Sequence, residues 1–248
     1  MATKVEGAGA GARVGGRGFM ADQAYFTRFT VVLALFILFG FAQFALRGIV
    51  DVRAAPLLTH AHGVFMVTWL GVAVAQNVLV HRNELALHRK LGWFAALLVA
   101  GIAVLGVSVG FSAVAGHRVA PFFTNNYFLA LTIVEPIVFA ALVLWGVTLR
   151  RDTQWHRRIM LGAMVIILEP ALGRLLPMPI MGAWGAWTIL AVQLAVLALL
   201  AGHDRKVSGK VHGATLSLMG IVVASHLTIR ALAAFGPFAD YAEALARG

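Results

Sequence analysis

The sequence predicts an all-α polytopic membrane protein, a bundle of about seven transmembrane helices, and three observations carry that expectation. Hydrophobic residues make up 60% of the chain and charged residues 12%, with a mean hydropathy of +0.86. So little polar surface cannot cover a water-soluble globule. The apolar residues fall into runs of spanning length, and the basic residues fall between those runs with a strong bias to alternate loops.

Uncharged or nearly uncharged runs occupy 29–46, 57–80, 91–115, 127–149, 159–176, 182–201 and 211–235. Lys4, Arg13, Arg17 and Arg28 precede the first; Arg82, Arg89 and Lys90 follow the second. Arg150, Arg151, Arg157 and Arg158 follow the fourth, and Arg205, Lys206 and Lys210 the sixth. With seven crossings these 14 cations share one side, and Arg47, Arg53, Arg118, Arg174, Arg230 and Arg247 are left on the other. The positive-inside rule then places the N-terminus in the cytoplasm and the C-terminus outside, in the inner membrane of a bacterium. Residues 1–28, rich in Gly and Ala, are expected to form a flexible cytoplasmic tail, 29–235 the helical domain and 236–248 a short outer tail. The formal charge of +10 is accounted for by membrane orientation rather than nucleic acid, and the lipid bilayer is the expected partner.

Several chemistries drop out. Without cysteine there is no disulfide, iron–sulfur cluster or thiolate nucleophile. Lys4, Lys90, Lys206 and Lys210 lie outside the membrane cores or at their edges, so no lysine is placed for a retinal Schiff base. No phosphate-binding glycine loop or nucleophile elbow occurs.

Imidazole binds haem iron and other transition metals, and three histidines open helices from the basic side: His88, His156 and His212. The stretches Leu87-His88-Arg89-Lys90-Leu91-Gly92 and Trp155-His156-Arg157-Arg158-Ile159 form a faint repeat. The Arg and Lys of these stretches are read as headgroup anchors, as are Trp155, Trp184 and Trp187. On the other side His60 and His62 point about 200° apart on a helix, so at most one faces the core, and His62 is preferred.

The segment from His62-Gly63 to Trp69, followed by Leu87-His88 and Trp155-His156, resembles the di-haem transmembrane cytochrome b family that includes ascorbate and ferric reductases, over about residues 57–172. The resemblance implies haem b ligands at His62, His88 and His156, with His88 and His156 paired on the cytoplasmic side, and an electron donor or acceptor as partner. Helix four carries Asn125, Asn126 and Tyr127 where that family has its remaining histidine, so one haem is expected rather than two. The chain also resembles bacterial seven-helix membrane proteins whose helices open on His-Arg-x-Leu-Gly.

A charge at the bilayer centre costs about 2.5–3.5 kcal/mol on insertion scales, so buried acids need partners. Glu135 and Glu169 lie deep in their helices, and each precedes a proline, Pro136 and Pro170. Those prolines cannot donate to the carbonyls of Thr132 and Ile166, which predicts bent helices and free carbonyls. Gln43, Arg174, Arg230 and His226 are candidates to pair with the acids. The alternatives to a haem protein are therefore a proton-coupled transporter or channel built on this cluster, or a metal-dependent membrane enzyme acting on a lipid-soluble substrate, with zinc or iron held by Glu135, Glu169 and His226. Zinc hydrolases resembling the ceramidase and adiponectin-receptor group have His-x-x-x-His on the last helix, a spacing that His212 and His226 do not match.

Overall fold

The computed structural model describes the backbone of residues 10–248 and the side chains from Asp22 onward; Lys4 and the side chains of Arg13 and Arg17 lie outside the described residues. Those residues form α1 (Ala10–Leu46), α2 (Leu57–His81), α3 (Leu85–Ala115), α4 (Asn125–Thr148), α5 (Thr153–Ile166), α6 (Glu169–Leu175), α7 (Met178–Met181), α8 (Gly185–Ser208), α9 (Gly213–Ala234) and α10 (Gly236–Arg247), and no strand is found among them. Six helical stretches are long and apolar enough to cross a membrane: Asp22–Leu46, Leu57–His81, Leu85–Ala115, Asn125–Thr148, Met178–Ser208 and Gly213–Ala234.

The fifth apolar run is the exception. It is two short helices, α5 and α6, interrupted at Ile167 and Leu168. Pro170 sits in the first turn of α6, where its missing N–H is harmless. The run is also the most enclosed part of the bundle, buried without interruption from Leu161 to Glu169. An exposed break would leave carbonyls facing lipid, so irregular backbone at this depth requires protein around it. Pro136, by contrast, is carried inside an unbroken α4.

Neighbours in sequence pack as neighbours in space from α1 to α5, while α9 packs on α4, α5 and α8, and α6 lies between α1 and α8. At one end of the bundle, Asp22 of α1 meets Arg157 of α5 and His203 of α8. At the other, Gln43 of α1 donates to the carbonyl of Arg174 in α6 (3.1 Å). The broken segment therefore runs alongside α1 from the end rich in basic residues to the opposite one. Gly40 permits this approach, because a methyl group there would lie 3.0 Å from the Ala171 Cβ and 3.1 Å from its carbonyl oxygen.

Both expected tails need correction. Helix α1 starts well before residue 29, and Asp22, Gln23 and Phe26 are buried in the bundle. Residues 236–247 are helical, and Ala242 and Ala246, one turn apart, pack with Val114 of α3 and Leu129 of α4. Glu243 of the same helix accepts from Asn125 (3.3 Å).

Candidate functional site

Burial at the helix break gathers the deep polar residues of α4, α5–α6, α8 and α9. Gln193 of α8, 1% exposed, donates through Nε2 to the carbonyls of Val165 (3.0 Å) and Ile166 (3.2 Å). Ile166 is the residue whose carbonyl Pro170 cannot reach, so the amide takes the place of the missing helical N–H. That fixes the other end of the amide: Gln193 Oε1 faces His226 Nε2 at 2.7 Å. Because Oε1 is an acceptor, His226 Nε2 carries the proton and donates. The same nitrogen lies 3.4 Å from Glu169 Oε2, and the Glu169 carboxyl lies close to that of Glu135. The result is a chain from Glu169 through His226 and Gln193 to the backbone of the broken helix, with Glu135 beside its carboxyl end.

Neither expected cation joins it. Arg174 Nη1 donates to the Pro170 carbonyl (2.7 Å), and its guanidinium lies 4.0 Å from the centre of the Phe41 ring. Arg230 lies over the indole of Trp187 (4.6 Å). Gln43 is spent on the carbonyls of Gly40 and Arg174. Among the described residues no group of three or more His, Asp or Glu is placed to hold a metal ion. The His226 nitrogen nearest the carboxylates is a hydrogen-bond donor, which leaves it no lone pair for a metal.

Toward the basic end, α3 and α5 bring His88 and His156 together, with ring centres 6.4 Å apart and planes at 84°. His156 Nδ1 bonds the Gly146 carbonyl at 2.7 Å, which fixes the proton on Nδ1 and leaves Nε2 with its lone pair. His88 Nδ1 is buried with no hydrogen-bond partner among the described residues. His212 does not join them. It caps α9, accepting from the N–H of Ala214 (3.1 Å), and lies edge-on to Trp155. Burial, and after it the nearby Arg158, holds the His212 imidazole below its ordinary pKa. His62 projects inward beside Gly106 and Pro136, and its Nδ1 is also buried without a partner. A groove of about 360 Å³ between α4 and α9 is lined by Val138, Ala141, Leu142, Trp145 and Ile221, and none of these polar residues lines it.

The sequence reading missed a buried ionic network at the basic end. Arg157 (8% exposed) and Arg158 (3%) are not headgroup anchors. Arg157 pairs with Asp22, whose other oxygen meets His203 Nε2 at 2.6 Å. Arg158 donates to Asp204 Oδ1 through Nε (3.0 Å) and Nη2 (2.6 Å), while Asp204 Oδ2 accepts from Thr215 Oγ1 (2.6 Å) and the His212 N–H (3.1 Å). Both guanidinium groups lie over Phe26. The available signal was the pair of isolated aspartates, 22 and 204, at the edges of apolar runs on the basic side. Compared with known proteins, the chain matches no family model, no curated protein and no solved structure.

Proposed function

We propose that this protein moves protons across a bacterial inner membrane, as a channel or coupled to a solute, with Glu135, Glu169 and His226 as the site that takes up and releases the proton. The observation that carries the reading is the gathering of two buried acids beside the helix break, with His226 3.4 Å from Glu169 and 2.7 Å from Gln193. Ionisable residues inside a membrane are costly and mark proton or ion pathways. Broken helices at membrane depth mark the sites of many transporters. A shared proton between two carboxyls can be passed to a neighbour without leaving a charge stranded in the interior.

The same proposal takes α5 and α6 together as one crossing, giving seven, with the N-terminus in the cytoplasm and the C-terminus outside. Reconstitution into proteoliposomes loaded with a pH-sensitive dye tests it. An imposed pH gradient should drive proton entry in the native protein and not in Glu169→Gln.

One observation favours a second reading. His88 and His156 face each other across 6.4 Å, and the Nδ1 of His156 is anchored on a backbone carbonyl, an arrangement suited to ligation through the opposite nitrogen. In that reading the pair would hold a haem b, which supplies one-electron chemistry, and the protein passes electrons between partners on the two sides. A reduced-minus-oxidised optical spectrum of the purified protein separates the two readings. A b-type signal lost in His88→Ala favours the haem protein; a colourless protein that carries protons rejects it.

A further inference from the structure

Three residues of α2 stand at sevenfold spacing, His62, Trp69 and Gln76, and so share one helix face. Each has a buried polar atom with no hydrogen-bond partner among the described residues: His62 Nδ1, Trp69 Nε1 and Gln76 Oε1. A fourth such atom, His88 Nδ1, lies on α3 one turn from Gly92, which stands beside Gln76. By helix rise, His62 and Gln76 are about 21 Å apart, most of the depth of a bilayer core. Buried polar groups are normally satisfied, and where protein does not satisfy them ordered water does. Orphaned atoms are few in any well-folded interior; of the six among the described residues, four follow this face of α2 and the other two belong to Arg157.

The line has the right chemistry for water. The indole N–H only donates and the Gln76 oxygen only accepts, while each imidazole nitrogen takes either role according to its proton. Water, with two donors and two acceptors, can serve all of them in sequence. Space is available beside Gln76, because Gly92 of α3 presents no side chain and a methyl there would meet only Gln76 Nε2, at 3.6 Å.

We infer that a file of water molecules runs through the bundle along this face of α2, hydrogen-bonded to His88, Gln76, Trp69 and His62, and connects the His88–His156 pair with the interior beside Pro136. The file relays protons: one enters at the basic end, each water passes one to the next, and one leaves at the His62 end, so no charge or atom is gained. The relay role rests on the proton-moving function proposed above; the presence of the water does not.

Radiolytic hydroxyl-radical labelling in nanodiscs, read by mass spectrometry, tests the water directly, because radicals made from bound water attack the side chains touching it. Trp69 and Met164 are both 2% exposed. After correction for intrinsic reactivity, Trp69 should label several-fold faster than Met164, and Gln76→Leu should lower Trp69 labelling. Equal rates for the two residues in the native protein would overturn the inference, whether or not the variant folds. Proton uptake by proteoliposomes of the same sample separates the two claims. Fast Trp69 labelling without proton uptake keeps the water file and removes the proton-moving function, whereas slow labelling with uptake keeps the function and removes the file.

Discussion

Gln193 holds the deep site together although it carries no charge. Its amide nitrogen supplies hydrogen bonds to two carbonyls at the helix break, and its oxygen sets the proton on His226. Val165 has a second donor in the Leu168 N–H (3.2 Å), so Ile166 is the carbonyl that depends on the amide. Gln193→Leu should therefore destabilise the protein by about 1–3 kcal/mol, the cost of one buried unsatisfied group, seen as an earlier thermal unfolding transition in detergent. Glu135, Glu169 and His226 were legible in the sequence because a titratable residue in an apolar run is conspicuous. Gln193 was not, since a neutral amide in such a run gives no comparable signal and only the fold shows which carbonyls it faces. The partners of Arg174 and Arg230 were illegible for a related reason: burial depth suggested the acids, whereas aromatic faces and a backbone carbonyl lay nearer.

His212 gives a residue-scale prediction about pH. Its Nδ1 accepts the Ala214 N–H, which only the neutral ring can do, and burial lowers its pKa in the folded state. The unfolded chain then binds the proton more strongly, so the contribution of His212 to stability is complete above its ordinary pKa of about 6.5 and is lost as pH falls through the lower folded value. Melting temperatures measured from pH 7.5 down to pH 5 should fall less steeply in His212→Asn, which keeps a capping oxygen without a titrating group.

At the scale of elements, the two prolines behave differently because their surroundings differ. Pro170 begins a new helix, and the carbonyl it abandons is taken by Gln193; Pro136 stays within α4. The sequence announced both as bends, and nothing local distinguished them. Helix ends were equally hard to place from hydropathy. Helix α1 extends through residues that lack an apolar run because Asp22 is held by Arg157 and His203 on other helices. The α1–α6 contact is set by backbone proximity at Gly40, where the obstacle includes a carbonyl and a Cα and not only a movable side chain. Gly40→Ala should cost about 1–3 kcal/mol through overpacking, measured as a lowered melting temperature, and should disturb the helix break more than the His88–His156 end.

For the whole molecule, the composition and the charge bias between loops were enough to identify a helical membrane bundle. The count was harder, because the fifth run is apolar enough in sequence yet folds as two helices enclosed by the others. In the proposed topology its course beside α1 counts as one pass, which makes the number odd. The absence of native cysteine makes this easy to check: single cysteines placed at Ser208 and at Ala120 should react with a membrane-impermeant maleimide from opposite faces, Ala120 from the outside of intact cells.

In the proposed function the carboxyl pair at the broken helix carries protons. Proton entry into dye-loaded proteoliposomes, driven by an imposed pH gradient and compared among the native protein, Glu135→Gln and Glu169→Gln at equal reconstitution, tests it most directly. Uptake is expected from the native protein, with at least a tenfold loss in Glu169→Gln, about 1.4 kcal/mol or more on the barrier. Native uptake that both variants retain in full would contradict it, as would no uptake at all.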